Sequence, residues 1–271
     1  LLEAAPTLGG RVRAWPVTLP GGDRVTMSRG FHAFFRQYYN LRALLRRADP
    51  LLARLQPIAD YPLQRPGGVR DSFAGLPRTP PWSVMEFVRQ SPTFTLRDLT
   101  RVNVPAALEL MQVSFPGTYE RYDGESAAAF LDRLRFPDAA RDLALEVFAR
   151  SFFADPREFG AGELVAMFHT YFLGSAEGLL FDVPDDDYDT ALWAPLGRYL
   201  ASLGVEVRTS TQVDALADLT ADGVVLATDP RTARELIAHS SMDGAWAERV
   251  AATRNAPPFA VLRLWLDTPV A

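Results

Sequence analysis

Strand-like segments stand near both ends of this chain, and a long stretch of helical apolar spacing separates them. Leu1-Leu2-Glu3-Ala4-Ala5 reads as the end of a buried strand, and Val205–Val213, Gly223–Thr228 and Phe259–Leu266 read as further strands. A helix over Arg231–Ala238 falls among the later ones. Between the two sets, Ala127–Leu134, Ala139–Phe153 and Gly162–Leu173 repeat apolar residues at intervals of three and four, the period of a helix buried along one stripe. Strands alternating with helices specify an α/β layer. The expected fold class is therefore α/β with a largely helical region interposed. A strand at each raw end, with no initiator methionine, reads as a fragment of a longer protein.

Composition narrows the chemistry. The 28 basic and 33 acidic side chains leave a formal net charge of −5, which argues against a nucleic-acid partner, whose phosphates reward a basic face. There is no cysteine, and every one of the 28 cations is arginine. That excludes disulfides, thiolate metal sites and cysteine nucleophiles, together with a P-loop lysine and a lysine Schiff base. No run of 18 or more apolar residues and no basic-then-apolar leader is found, so the expected location is cytoplasmic, with membrane contact limited to the periphery. The chemistry that survives leans on a bound cofactor.

Local patterns fill in the organisation. Pro20-Gly21-Gly22-Asp23 is turn chemistry that pairs Arg11–Leu19 with Arg24–Met27 as a hairpin. Phe31, Phe34, Phe35, Tyr38, Leu41 and Leu45 fall at helical spacing, predicting an amphipathic helix over Phe31–Arg47 with its aromatic face buried. Prolines and glycines crowd Pro57–Pro81, where short strands and turns mark the crossing into a second domain. Ser83–Gly174 reads as mostly helical, with Asp138 and Asp155 as caps, and Ala191–Leu203 as a helix ended by Gly204. Asp182, Asp185, Asp186, Asp187 and Asp189 read as a solvated loop, because they lack the alternating spacing and closing Glu of a calcium site. His169 reads as a packed helix residue and His239 as a helix-end cap. Three scattered histidines offer no zinc spacing, so no metal is expected. Gly174-Ser175-Ala176-Glu177-Gly178 misplaces the serine of a nucleophile elbow. Phe148, Phe152, Phe153, Phe159, Met167, Phe168, Tyr171 and Phe172 gather on the middle helices, either as ordinary core or as the wall of an apolar tunnel.

The motifs that carry chemistry lie at the two ends. An acidic residue closing a strand, as Glu3 does, can accept a ribose hydroxyl. Gly9-Gly10 lets backbone N–H groups approach a pyrophosphate that Arg11 can neutralise. The combined pattern Leu-Leu-Glu-Ala-x(4)-Gly-Gly-Arg resembles the FAD-binding unit of the flavin amine oxidase and phytoene desaturase superfamily. That superfamily's Gly-x-Gly-x-x-Gly loop is not in this sequence. Gly30-Phe31-His32-Ala33-Phe34-Phe35 with Tyr38-Tyr39-Asn40-Leu41 is similar to a segment of carotene desaturases. The run Leu8–Pro16 looks most like the branch that aromatises carotenoid rings, the isorenieratene-synthase type. Gly204-Val205-Glu206-Val207 followed by Val213 resembles the strand whose valine backbone meets adenine. Val224–Pro230 resembles the second FAD-associated strand, with Asp229 in place of the glycine of the stricter Ala-Thr-Gly form. The usual small β-meander between those two strands is shortened here to Asp214–Asp222.

The resemblance implies a Rossmann-like FAD-binding domain of the glutathione-reductase type, incomplete, with an inserted helical substrate domain. It implies FAD-binding parts over 1–56 and 191–258, a substrate domain over 57–190, and a return strand starting at 259. Glu3, Gly9, Gly10, Arg11, Gly30, Val213, Ala227 and Thr228 are the implied FAD contacts. The backbone of His32 is implied to lie near the flavin, while its side chain reads as a helix N-terminal residue without a ligand. The implied activity is desaturation of a carotenoid, extending to aromatisation of a β-ionone ring. A flavin amine oxidase on the same scaffold, or a non-catalytic remnant that binds an isoprenoid, are the alternatives. The implied partner is an apolar carotenoid or isoprenoid, collected from lipid by peripheral contact through Ser83–Gly174. No catalytic acid or base and no oligomeric state is implied.

Overall fold

The computed structural model describes residues 1–64, 67–68, 70–79, 82–92, 98–136, 138, 141, 154–256, 258 and 260–268. It divides into two compact units, one formed by 1–32, 44–54 and 184–271, the other by 33–43 and 55–183.

The second unit is helical at its centre. Helices Val104–Glu109, Ala127–Leu134 and Ala161–Phe168 enclose a core in which Phe130, Leu131, Leu134, Leu164 and Val165 are fully buried. The predicted helix Ala127–Leu134 is found with the same bounds, started by Ser126, whose hydroxyl accepts the Ala129 N–H at 3.2 Å. Asn103 caps Val104–Glu109 in the same way, through Ala106 N–H. Gly162 faces the backbone of Gly117–Arg121; an added Cβ would stand 3.2 Å from Tyr119 Cα, so a small residue is what lets these helices approach. Arg133 bridges the carboxylates of Glu109 and Glu125 with paired N–H donors at 2.6–3.1 Å. Tyr122 donates to Glu109 at 2.6 Å, and burial together with that carboxylate pushes its hydroxyl up to about 12. The predicted helix Gly162–Leu173 appears as Ala161–Phe168 followed by a π turn over His169–Leu173. Most of Ala139–Phe153, with Phe148, Phe152 and Phe153, lies outside the described residues.

Strands Phe34–Phe35, Phe181–Pro184 and Leu55–Pro57 make a small sheet, with Phe181–Pro184 at its centre. This corrects two expectations. The helix expected from Phe31 starts only at Tyr39 and runs to Ala48, because Phe34 and Phe35 pair with Asp182 and Phe181. Aromatic residues suit a pleated surface as well as a helical stripe, and a strand partner decides between them. Phe34 is buried, whereas Phe31, expected on the same buried face, is 66% exposed. Asp182 is likewise not a solvated loop residue. It is 3% exposed and holds Arg36 at 3.1 Å and Arg42 at 2.6 Å. An acidic residue in a strand interior is tolerable because two guanidinium groups satisfy it. Asp155, expected as a helix cap, instead closes a turn through Arg157 N–H, and Gly160 stands at the cap of Ala161–Phe168. Leu63–Gln64 and Arg70–Asp71 pair as two short antiparallel strands, in the Pro/Gly-rich stretch where short strands and turns are expected.

The first unit carries the predicted hairpin, Ala14–Thr18 against Arg24–Ser28 in antiparallel register. Leu1–Ala5 runs parallel to Arg208–Thr211 through Arg208 N–H to Leu1 O, Glu3 N–H to Arg208 O, and Thr211 N–H to Glu3 O, each 2.9 Å. Val205–Val213 is therefore half-laddered rather than a full strand. Gly223–Thr228 and the described part of Phe259–Leu266 form no ladder among the described residues, and Val225 and Leu262 are 92% and 85% exposed. An extended segment becomes a strand only where a neighbour takes its backbone groups. Helix Pro230–His239 matches expectation and is started by Asp229, which accepts Arg231 N–H at 3.0 Å and Thr232 N–H at 3.2 Å. That is a positive reason for Asp at this position.

Candidate functional site

Within the first unit, two backbone turns that carry the Gly-rich motifs are held by one short segment. Gly9 has φ 111° and Gly10 φ 51°, both left-handed, and they open the 3-10 turn Gly10–Val12. A Cβ on Gly9 would collide with the indole of Trp193, so only glycine fits there. Trp193 Nε1–H donates to Val12 O at 2.6 Å and clasps the turn from the other side. At Gly10 a Cβ would meet nothing within 4 Å, leaving open space beside the backbone.

Gly30 has φ 129° and begins the second turn. Tyr188 Oη donates to Gly30 O at 3.0 Å and accepts His32 N–H at 3.2 Å, and its ring meets the His32 imidazole edge-on at 5.3 Å. Ser28 Oγ donates to Gly30 O and accepts from Arg263 at 2.6 Å. His32 Nε2 is buried with no hydrogen-bond partner among the described residues. Burial first, and the Arg11 cation second, hold its pKa below the ordinary value of 6.5. The neutral imidazole is thus favoured. His32 is not the helix N-terminal residue expected, since no helix begins there.

Tyr188 and Trp193 bracket a π turn over Asp189–Trp193, capped by Asp187 through Asp189 N–H, Thr190 N–H and Thr190 Oγ1. The turn's extra residue aims side chains five apart at the two glycine turns, a geometry that π turns bring to functional sites. Neither residue was marked by the sequence, because an α-helical period gives positions 188 and 193 no common face.

The implied FAD residues are distributed as follows. Gly9, Gly10, Arg11 and Gly30 come together through the Tyr188–Trp193 segment and the Arg11–His32 interaction. Glu3 lies on the parallel pair with Arg208–Thr211, its Oε1 accepting Ala5 N–H at 2.7 Å, and Val213 follows on that same neighbouring segment, half-buried. Ala227 and Thr228 are exposed just before helix Pro230–His239, and no hydrogen bond joins them to the other positions among the described residues. No grouping of three or more metal-ligating side chains occurs among the described residues.

A family model described as flavin containing amine oxidoreductase matches residues 1–271, the whole chain. The chain belongs to that family. Its cofactor class is a flavin, as the Gly-Gly-Arg resemblance implies. The chain is also similar to proteins called carotenoid phi-ring synthase: 56% identical over 287 residues to that of Streptomyces griseus, covering all of this chain and 56% of the relative. A second, from Chlorobaculum tepidum, is 28% identical over 210 residues, covering 76% of this chain and 32% of the relative. The chain thus spans about half the length of the first relative and a third of the second. The residues present fit a flavin dinucleotide: the open space at Gly10, the exposed Arg11 beside it and the orphaned His32 Nε2 offer, in turn, backbone approach, positive charge and an unspent polar atom.

Proposed function

We propose that the full-length protein is an FAD-dependent oxidoreductase that desaturates a carotenoid and aromatises its β-ionone ring. The observation that carries this reading is 56% identity, over the entire chain, to a carotenoid phi-ring synthase. Bound FAD would supply the acceptor for a hydride equivalent leaving the substrate. In this reading the first unit holds the cofactor. Glu3 accepts a ribose hydroxyl, the Gly9–Gly10 backbone and Arg11 receive the pyrophosphate, and Gly30 gives close approach at the turn that Tyr188 fixes. The Val213 backbone meets adenine, and Ala227-Thr228 lines the second FAD-associated segment. The segments proposed for this are 1–56 and 191–258, with the substrate over 57–190 and a return strand from 259. The substrate segment contains a helical core and a line of aromatic rings suited to an apolar polyene.

No helix among the described residues is long and apolar enough to cross a membrane. Val104, Leu108 and Met111 follow one another at four- and three-residue intervals and are all about half exposed, with Trp82, Met85 and Phe115 also exposed in the same unit. We assign these side chains to peripheral contact with lipid, from which an apolar substrate is drawn. Liposome flotation checks this assignment: retention of the full-length protein in the soluble fraction with neutral and anionic vesicles alike refutes it. The activity is tested by incubating the flavin-loaded full-length protein with β-carotene and, separately, with a primary amine. Spectral change and ring-desaturated product from β-carotene alone are expected. Amine turnover without carotenoid turnover overturns the reading.

A further inference from the structure

Within the first unit, the segment that carries Arg263 comes back onto the Gly30 turn. Val261 lies against that glycine, its Cγ2 3.6 Å from where a Cβ on Gly30 would stand. Arg263 Nη2–H donates to Ser28 Oγ at 2.6 Å, and Ser28 Oγ–H in turn donates at 3.2 Å to Gly30 O, the carbonyl that Tyr188 also holds. Ser28 is buried and Arg263 half-buried, so the guanidinium is anchored at the turn rather than free in solvent. A guanidinium has five N–H donors. The bond to Ser28 is the only hydrogen bond of Arg263 among the described residues, and no carboxylate pairs with it there. A cation withdrawn from water is ordinarily paired.

A second cation acts on the same place. Burial raises the Tyr188 hydroxyl pKa and the Arg263 charge partly offsets that rise, while Arg11, after burial, lowers the His32 imidazole. The Tyr188 and His32 rings are 5.3 Å apart, so guanidinium groups from the two ends of the chain converge on one ring pair. The neighbouring carboxylates do not oppose them: Asp187 accepts Asp189 N–H and Thr190 N–H, and Asp267 is exposed. Two like charges gathered without a counter-charge are relieved by an anion. Two cations next to the open backbone at Gly10 suit a ligand with two negative charges close together, as a diphosphate has. An oxidised flavin ring and a carotenoid carry none. We propose that Arg263 is a further cofactor-binding residue, whose guanidinium meets the diphosphate of the flavin dinucleotide together with Arg11, and that Ser28 is the positioning residue that aims it. The inference rests on the proposed placement of FAD in the first unit and extends that site to the segment beyond 259.

The test is titration of FAD into the full-length protein stripped of flavin, with dissociation constants read from flavin fluorescence at rising KCl. Wild-type affinity should fall as salt screens the two arginines, an arm that needs no variant to fold. Arg263→Gln keeps a donor for Ser28 and removes the charge; it should weaken FAD binding about tenfold or more and flatten the salt dependence. Arg263→Lys keeps the charge and should retain most of the affinity and the wild-type salt dependence. Ser28→Ala should lose part of the affinity, because it frees Arg263 from the turn. Salt-independent binding to wild type overturns the assignment. So does equal weakening by Gln and Lys with the wild-type salt dependence, since Arg263 would then only shape the turn. An unchanged affinity in Arg263→Gln with a shifted flavin reduction potential would put the guanidinium at the ring and overturns it as well. If FAD binds wild type and Arg263→Gln alike, the Arg263 assignment fails and the flavin reading stands; if wild type binds no FAD at any salt concentration, both fail.

Discussion

The core of the helical unit and the glycine turns of the first unit are held by opposite means. Around Phe130, Leu131, Leu164 and Val165, order comes from filled apolar volume, and any side chain of similar size and hydrophobicity serves. Around Gly9 and Gly30, order comes from backbone conformations and from the space where a side chain is missing. The first kind of region fails gradually with the volume removed, the second sharply with the smallest atom added. Phe130→Ala is the largest change expected in the molecule: a fully buried ring is removed, at a cost of about 3–5 kcal/mol. Thermal unfolding of the full-length protein measures it, and the bound-flavin spectrum at low temperature should be unmoved. A loss below about 1 kcal/mol would show that this core is not packed as described.

Asp182 joins the two kinds of order, being buried like a core residue yet fixed by charge. Asp182→Ala leaves Arg42 and Arg36 facing an apolar methyl, with an expected cost of about 3 kcal/mol, toward the low end for a broken buried pair because Arg36 is one-third exposed. Urea unfolding reads it directly. Gly9→Ala is smaller in stability, about 1–3 kcal/mol from the left-handed φ and the collision with Trp193, but larger in function. Flavin affinity should fall with it. Pairing Gly9→Ala with Trp193→Ala tests the clasp itself: the double variant should recover part of the loss, since the collision is gone. Strict additivity of the two changes would separate Trp193 from the turn.

The same division governs how much was legible in the sequence. Helices Ala127–Leu134 and Pro230–His239 and the hairpin Ala14–Thr18 with Arg24–Ser28 were readable because periodicity, caps and turn residues are local signals. The glycines of the first unit were readable from a motif for a related reason: a left-handed turn leaves few residue types to choose from. Phe34 and Phe35 were misassigned to a helix because their spacing suits either structure, and the strand partner lies far away in the chain at Phe181–Asp182. Asp182 was taken as solvated because no local pattern announces two arginines 146 and 140 positions distant. Tyr188 and Trp193 escaped notice since a π turn has no period that a helical window detects. What the sequence withheld was long-range pairing.

The smallest expected effect lies in the protonation of His32. Its pKa in the folded protein is lowered by burial and by Arg11, so protons bind the unfolded chain more readily than the native one. Above pH 6.5 the imidazole is neutral in both states and contributes no pH dependence. As the pH falls below that value the unfolded state gains a proton first, and stability declines until the folded state protonates as well. The stabilising contribution is therefore present above the unfolded pKa and lost on acidification through the folded one. His32→Asn keeps a polar side chain near Tyr188 and removes the titration. The difference in unfolding free energy between wild type and this variant, followed by urea titration at successive pH values, should be flat above pH 6.5 and turn against wild type below it. The pH dependence of flavin affinity should follow the same course, because protonated His32 would bring a second cation beside Arg11 and disturb the turn at Gly30. A difference that stays constant from neutral pH down to pH 5, or one that favours wild type in acid, would mean that His32 is not held neutral by its surroundings and that the turn owes its order to Tyr188 alone.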